Sequence, residues 1–245
     1  MTKPKRDAHA SALGRVELLR RRSGALTYRQ RGGNQTTVDA AGVSLDTYIH
    51  VLHGLLRQTP ARRILMIGCG GGTLATMLAR AGRKVTIVDI DPVAFKLARR
   101  HFGLPRNVVC RVADGLAFLQ TTRARFDAVV LDAFIGEDIP TQFLGEHFSR
   151  AARRCLHRDG ALFVNVCLGP RQRTADELAL MLRRTGWKAR LLDRRRTAER
   201  NAIVMAGAVR GLRAPKLEIV PAVEVARLRA EMAAMGFRRA KSGKR

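Results

Sequence analysis

Short apolar runs alternate with longer amphipathic segments along most of the chain. Five of these runs have the length and β-branched content of buried strands: RILMIG (63–68), KVTIVDI (84–90), NVVCRVA (107–113), FDAVVLDAF (126–134) and ALFVNVCL (161–168). Helical patterns lie between them, and Pro92 suits the first turn of the helix that follows the second run. Strands that alternate with helices need crossover connections, which predict a mostly parallel sheet covered on both faces.

The pattern changes after the fifth run and its helix. KARLLD and NAIVMAGA predict two further strands with no long helix between them, so we expect one of the pair to be antiparallel. These elements together predict an α/β protein with a Rossmann-like, mostly parallel seven-stranded sheet.

The segments before and after this sheet predict smaller elements. GALTYRQRGGNQTTVD has two strand-like runs around RGGN, typical of a β-hairpin, and SLDTYIHVLHGLL predicts an amphipathic helix. After residue 210 the chain becomes charged and less regular. We therefore divide the chain into a basic flexible arm (1–23), a small β-hairpin with a helix (24–58), a Rossmann-like domain (59–210), and a C-terminal helix with a basic tail (211–245).

The charge of the chain is strongly positive. There are 46 Lys and Arg residues against 20 Asp and Glu, a formal net charge of +26, while 46% of residues are hydrophobic and can form a sizeable core. Clustered cations bind nucleic acid by releasing phosphate counterions. Here the cations are spread along the whole chain, and one Trp and two Tyr leave few stacking platforms for bases. Nucleic acid is therefore an alternative partner and not the favoured one.

Cysteine and histidine positions do not predict a metal site. The four cysteines form no CxxC pair, and His50 and His53 lie three apart without a further ligand signature. No apolar run approaches the roughly 20 residues needed to span a bilayer. The N-terminal segment is basic and lacks the apolar core of a secretory signal. We expect a cytoplasmic protein with reduced thiols and no membrane contact.

A glycine-rich loop follows the first strand of the sheet. In IGCGGGTL (67–74), Gly68, Gly70 and Gly72 have G-x-G-x-G spacing. Glycine lets the backbone turn sharply and approach a ligand, and the helix that follows offers unpaired N–H donors. The same loop also suits a tight strand–helix connection without a ligand. NAD is disfavoured because the loop lacks the G-x-G-x-x-G pattern.

Aspartates follow the next three strands. Asp89 ends the second strand, where an acid accepts hydrogen bonds from ribose hydroxyls; Asp114 follows the third, where it can accept from an adenine amino group. Asp132 follows the fourth. A strand-end Asp is also an ordinary helix cap. Four successive strand ends that carry Gly, Asp, Asp and Asp predict a nucleoside site at the ligand edge of the sheet, and a nucleoside-binding catalytic domain over 59–210.

In this order the motifs resemble those of the spermidine synthase (polyamine aminopropyltransferase) family, across roughly residues 24–207. The matching stretches are NQTTVD, LDTYIHVL, ILMIGCGGGTL, IVDIDP, VADGLAFL and FDAVVLDAFIGEDIP. The resemblance implies a class I methyltransferase-like fold. It also implies a transferase of polyamine biosynthesis that moves an aminopropyl group from decarboxylated S-adenosylmethionine to a diamine or polyamine such as putrescine, without a metal. Whether the protein forms a homodimer is left open.

The resemblance also implies roles for individual residues. On the donor side it implies contacts from Gln35, Gly68, Gly70, Gly72, Asp89, Ile90, Asp114 and Gly115. Asp132 would be the general base for the attacking amine. On the acceptor side it implies contacts from Tyr48, His50, Glu137 and Asp138.

Three positions depart from the family pattern and keep a second function open. Gly71 and Ile135 stand where the family has Asp, and Val51 follows His50 where the family's Tyr-His-Glu triplet would continue. The missing acid at Gly71 would remove a repulsion against the carboxylate of intact S-adenosylmethionine. The alternative is therefore an S-adenosylmethionine-dependent methyltransferase, with RNA as one acceptor that the charge allows. An inactive binding module is a third hypothesis.

Overall fold

The structure is a computed structural model that describes residues 5–11, 13–136, 138–169, 172–194 and 200–241 of the chain. The described residues form two sheets, one of four strands and one of eight. The predicted α/β, Rossmann-like architecture with a mostly parallel sheet is confirmed.

The N-terminal sheet is larger than the predicted hairpin. Its strands are β1 (Lys5–His9), β2 (Val16–Arg20), β3 (Leu26–Gln30) and β4 (Gly33–Val38), each antiparallel to the next. The described part of the predicted flexible arm is therefore two strands, and that expectation is corrected.

Burial explains why the described part of the arm forms strands. Val16 and Leu18 are fully buried on one face of β2 and pack in a cluster with Tyr28 and Phe102. Alternation of buried and polar positions is the signature of a strand with one covered face. The dense positive charge around these positions conceals that alternation in the sequence.

The central sheet has the order β12-β10-β11-β9-β8-β5-β6-β7. Its strands are β5 (Arg63–Ile67), β6 (Lys84–Asp89), β7 (Val109–Val112), β8 (Phe126–Leu131), β9 (Leu156–Leu168), β10 (Ala189–Asp193), β11 (Arg200–Gly207) and β12 (Gly236–Arg238). Strands β5 to β9 are mutually parallel. As predicted, β10 and β11 form an antiparallel pair. An eighth strand, β12, pairs antiparallel with β10 and corrects the predicted count of seven.

Seven helices are described: α1 (Thr47–Arg57), α2 (Thr73–Arg80), α3 (Pro92–His101), α4 (Gly115–Thr121), α5 (Glu146–Cys155), α6 (Thr174–Arg184) and α7 (Val225–Ala233). Helices α1, α2, α3 and α7 pack in one hydrophobic cluster with the central sheet, and α4, α5 and α6 pack in another. Both faces of the sheet are therefore covered, as its parallel strands require. Within the described residues, no helix has the length and apolar character that crossing a membrane needs.

The C-terminal segment is part of the fold up to the last described residue. Arg238, in β12, contacts Asp193 at 2.7 Å and Asp176 at 2.6 Å, and its side chain is only 9% exposed. These two carboxylates raise the pKa of Arg238 and hold it charged in a largely buried place. The predicted basic tail is thus corrected over residues 236–241. The pairing partners lie far away in sequence, so no local pattern indicates them.

Candidate active site

Two adjoining cavities lie at the carboxyl edge of the parallel strands. The first has a volume of about 240 Å³ and is lined by the glycine loop, the ends of β6 and β8, and part of the N-terminal sheet. We call it the glycine-loop cavity. The second has a volume of about 390 Å³ and is lined by β4, the start of α1, and α7; we call it the α7 cavity. Gln35 and Phe134 line both, so the cavities meet there.

The glycine loop needs glycine at two of its predicted positions. Gly68 has φ 97°, and a Cβ there would lie 2.1 Å from the backbone oxygen of Asp132. Gly70 has φ 49°, and a Cβ there would lie 2.9 Å from the Thr36 hydroxyl. Both line the glycine-loop cavity. Gly72 precedes α2 and packs near Leu104, outside the lining residues of the cavity.

The hairpin formed by β3 and β4 closes over this loop. Thr36 accepts a hydrogen bond from the Gly71 N–H at 2.9 Å. A Cβ at Gly71 would lie 2.8 Å from Thr36 and 2.9 Å from Phe102. Gln35 donates to the backbone oxygen of Gly136 at 2.9 Å and so joins the hairpin to the loop after β8. The space for the Asp expected at position 71 in the family is therefore filled by other side chains.

Asp89 is held by the backbone at the end of β6. One carboxylate oxygen accepts from the Cys69 N–H at 2.7 Å and the other from the Asp91 N–H at 2.8 Å. Burial raises the pKa of Asp89, and the two backbone donors oppose that rise. Each oxygen keeps a further lone pair for a hydroxyl. Ile90, 49% exposed, lies beside it in the cavity wall.

Asp114 lies at the start of α4, at the mouth of the glycine-loop cavity. One oxygen accepts from the Ala117 N–H at 2.8 Å and caps α4, while the other accepts from the Gln142 amide at 2.8 Å. Asp114 and Gly115 both line the glycine-loop cavity. Gly115 packs closely on β5, since a Cβ there would lie 2.4 Å from Ile67. Asp114 is thus a helix cap that also faces the cavity.

Asp132 lies where the two cavities meet. Its carboxylate accepts from the Asn165 amide at 2.8 Å and from the Tyr48 hydroxyl, and it lines the glycine-loop cavity. Tyr48 and Asn165 line the α7 cavity. Burial raises the pKa of Asp132 to about 6, while both hydrogen bonds lower it. Asn201 donates to Asn165 at 3.0 Å and fixes its amide. This carboxylate faces the glycine-loop cavity, and the two residues that hold it face the α7 cavity.

The α7 cavity has a polar wall with acids that sequence reasoning missed. Asp46 precedes α1 and accepts from the Thr37 N–H at 2.8 Å. Burial, with a contribution from the charge of Asp132, raises the pKa of Asp46 to about 6. Glu224 and Glu231 enter from α7. Asn165 had a local signal, as a polar residue inside the apolar run ALFVNVCL; the glutamates had none, because their segment packs on α1 from far along the chain.

Two of the residues predicted to contact the acceptor, His50 and Asp138, are not brought together with the others. His50 is buried and its Nε2 lies 2.8 Å from the Ser44 backbone oxygen, outside both cavity linings. It follows Tyr48 by two positions, which turns it about 200° around the helix, so its assignment is corrected. Asp138 is exposed, pairs with Ile135 through the backbone and lies outside both linings. Glu137 lies outside the described residues.

Metal-binding groups are not apparent in the part of the chain that the structure describes. No three His, Cys, Asp or Glu side chains there are close enough to hold an ion. The four cysteines form no disulfide, and burial raises the thiol pKa of Cys69 well above its usual value.

Sequence comparisons relate the chain to two kinds of transferase. A model of a methyltransferase domain matches residues 64–160. The chain is 33% identical over 122 residues to an N-terminal histidine N-methyltransferase of Emericella nidulans, covering 48% of this chain and 22% of that protein. It is 36% identical over 122 residues to a polyamine aminopropyltransferase of Vibrio vulnificus, covering 47% and 41%. The chain thus spans from about a fifth to less than half of the length of these curated relatives.

Solved structures share the fold. A probable spermidine synthase from Corynebacterium glutamicum matches with a TM-score of 0.78 at 19% identity, over 97% of this chain and 92% of that one. A spermidine synthase in complex with the transition-state analogue AdoDATO matches with a TM-score of 0.65 at 14% identity, over 82% and 73%. The predicted resemblance to polyamine aminopropyltransferases, within a class I methyltransferase-like fold, is confirmed.

Proposed function

We propose that the chain is a transferase that moves the aminopropyl group of decarboxylated S-adenosylmethionine to an amine. The observation that carries this proposal is Asp132, a buried carboxylate held by Tyr48 and Asn165 where two cavities meet. A protonated amine has no lone pair and needs a base before it can attack. The curated polyamine aminopropyltransferases that the chain resembles support the same reaction.

The glycine-loop cavity has residues that fit the nucleoside part of such a donor. Asp89 offers carboxylate oxygens to the ribose hydroxyls, and Asp114 offers one to an adenine amino group. Ile90 supplies an apolar wall for the base. At Gly68 and Gly70 the absence of a Cβ lets the loop pack against Asp132 and Thr36 and keep its sharp turn beside the cavity. When bound there, the donor supplies a carbon made electrophilic by its sulfonium bond.

Asp132 performs the proton transfer of the proposed reaction. The acceptor ammonium, bound from the α7 cavity, first gives a proton to the Asp132 carboxylate, and the lone pair this leaves on nitrogen then attacks the carbon bonded to sulfur. The new C–N bond forms while the C–S bond breaks, and the electron pair of that bond returns to sulfur. Tyr48 and Asn165 hold the carboxylate in place, so that it needs little reorganisation. With its pKa raised to about 6, Asp132 is a stronger base than an ordinary carboxylate.

Methyl transfer from S-adenosylmethionine is the second candidate. Its specific support is Gly71, where the family's donor-side acid is missing and Thr36 and Phe102 fill the space. The methyltransferase domain model and the resemblance to a histidine N-methyltransferase favour it too. Methyl transfer relies largely on positioning of an already strong electrophile. It therefore requires less of Asp132 than aminopropyl transfer does.

Tyr48→Phe should shift the pH dependence of turnover. In the wild type, activity should fall as the pH falls through about 6, because Asp132 becomes protonated and cannot accept a proton. The Tyr48 hydroxyl stabilises the charged carboxylate, so its loss raises the pKa of Asp132. One hydrogen bond to a charged group contributes about 1.5–3 kcal/mol, so we expect the acid limb of kcat/KM to move to higher pH by about one to two units. The larger protonated fraction of Asp132 should then lower activity at neutral pH by about 2- to 10-fold. A pH–rate profile measures both.

Tyr28→Phe is the matched control for this variant. Tyr28 is also buried, but it lines the glycine-loop cavity and does not contact Asp132. The acid limb of the pH–rate profile of Tyr28→Phe should stay at the wild-type position. If Tyr48→Phe leaves the acid limb unmoved, Asp132 is not the group that limits activity at low pH.

A further inference from the structure

The two glutamates of the α7 cavity are already paired with a cation of the protein itself. Arg227 contacts Glu224 at 2.6 Å through Nη2 and at 2.7 Å through Nε. It contacts Glu231 at 3.1 Å through Nη1. All three residues line the cavity and lie on one face of the C-terminal helix or directly before it. The guanidinium therefore sits between the two carboxylates that a cationic ligand would otherwise use.

Further contacts hold this cluster in place. Arg227 also donates to the Leu45 backbone oxygen at 2.7 Å, which ties α7 to the segment before α1. Glu231 accepts a hydrogen bond from the Thr47 hydroxyl, and Arg194 lies 3.9 Å from it. A second ammonium at Glu224 or Glu231 would have to compete with Arg227 for these carboxylates, against the repulsion of its positive charge. The pairs are partly exposed and individually weak, so their effect lies in occupying the position more than in stabilising the fold.

The positive charge of Arg227 also acts on Asp46, another residue that lines the cavity. Its positive field lowers the pKa of Asp46, against the larger effect of burial. Around a bound acceptor the lining contributes the acids Asp46, Glu224 and Glu231 and the cations Arg21 and Arg227. Asp46 and the adjoining Asp132 are the carboxylates that Arg227 leaves unpaired. They are also the ones closest to the reacting amine. One ammonium can be matched there, whereas a second one at the far end meets carboxylates that Arg227 already pairs.

Uncharged polar residues also line the cavity, beside the apolar side chains of Leu45 and Phe134. Amide and hydroxyl groups come from Asn34, Gln35, Thr37, Asn165 and Asn201. Such groups donate and accept hydrogen bonds without a preference for charge, and they suit a hydroxyl or amide on the ligand. They therefore favour an acceptor whose far end is polar and neutral.

We propose that the acceptor is a primary amine with a single positive charge and a neutral polar tail, and that Arg227 determines this specificity by occupying the place of a second ammonium. The inference rests on the proposed function, because it assigns the acceptor to the α7 cavity. It departs from the diamine that the resemblance implies.

A matched pair of acceptors tests the proposal. Putrescine and 4-aminobutan-1-ol have the same length and differ in whether the far end is an ammonium or a hydroxyl. The wild type should use 4-aminobutan-1-ol with a kcat/KM at least equal to that for putrescine. Arg227→Met frees Glu224 and Glu231 and should shift the ratio of the two kcat/KM values towards putrescine by about threefold to fivefold, the factor for one partly exposed charge contact.

Two further variants separate specificity from folding. Arg227→Gln removes the charge but keeps an amide that can donate to the Leu45 oxygen, and it should shift the ratio in the same direction. Arg229→Met, on the same helix but outside the cavity lining, should leave the ratio at the wild-type value. A merely structural role for Arg227 would lower turnover with both acceptors and leave their ratio unchanged.

Equilibrium binding distinguishes failure of this inference from failure of the proposed function. Calorimetry of both amines with protein saturated in methylthioadenosine needs no turnover. If no amine is consumed, the proposed function is contradicted, and binding decides the specificity. Tighter binding of putrescine to Arg227→Met than to the wild type supports the inference. It is overturned if the wild type binds or uses putrescine tenfold better than 4-aminobutan-1-ol, or if Arg227→Met leaves the ratio unchanged.

Discussion

Asp132→Asn should reduce turnover by about 10²- to 10⁴-fold, the usual contribution of a positioned general base. The amide has nearly the shape of the carboxylate and fills the same space beside Tyr48 and Asn165, but it cannot take the proton of the attacking amine. Release of methylthioadenosine in the presence of an amine, measured under saturating donor, gives the loss directly.

Donor binding provides the control within the same variant. The nucleoside contacts come from other strand ends, so the affinity for methylthioadenosine should stay within a few fold of the wild type. Asp127→Asn changes an aspartate at the amino end of β8, at the opposite end of the parallel strands from the cavities, and should leave turnover unaltered. Near-normal turnover in Asp132→Asn would remove the proposed base and the mechanism with it.

Asp89→Ala should weaken nucleoside binding by about 1.5–3 kcal/mol, the range for hydrogen bonds to a charged group. This corresponds to an increase of about 10- to 150-fold in Kd. The change removes the acceptor for the ribose hydroxyls and also releases the Cys69 and Asp91 N–H groups that the carboxylate holds. Calorimetry with methylthioadenosine measures the effect without any dependence on the acceptor.

A control variant at Asp127 distinguishes the contact of Asp89 with the ribose from its hydrogen bonds to backbone N–H groups. Asp127 accepts from the Arg62 and Arg63 N–H groups at 2.8 and 2.7 Å, much as Asp89 accepts from its own neighbours, but it lies outside the glycine-loop cavity. Asp127→Ala should therefore lower stability while leaving nucleoside affinity near the wild-type value. An Asp89→Ala variant that binds methylthioadenosine as tightly as the wild type would show that Asp89 does not contact the ribose.

The sequence predicts which strand ends line the glycine-loop cavity, because its signals there are local. Each of Asp89, Asp114 and Asp132 directly follows an apolar run, and parallel strands bring their carboxyl ends to one edge. Once the alternation of strands and helices is recognised, the neighbourhood of these residues follows from topology alone. The glycine loop is similarly predictable, since its spacing and its place after a strand are both visible in the sequence.

The acceptor side is poorly predictable because it depends on contacts between distant segments. Glu224, Glu231 and Arg227 reach the cavity only because α7 packs beside α1. His50 was misassigned because the family motif gives its position but not the direction in which the helix turns it. The N-terminal strands were missed for a different reason, since their apolar positions are few and lie among arginines.

The most direct test of the central claim is to compare by calorimetry the affinities of the protein for decarboxylated and intact S-adenosylmethionine. The proposed function places the donor's reacting end beside Asp132, a buried carboxylate that would repel the carboxylate of the intact molecule. We expect the decarboxylated donor to bind about tenfold more tightly or better, since a repulsion of one to two kcal/mol is typical of such neighbouring charges. Tighter binding of intact S-adenosylmethionine would contradict aminopropyl transfer and favour methyl transfer.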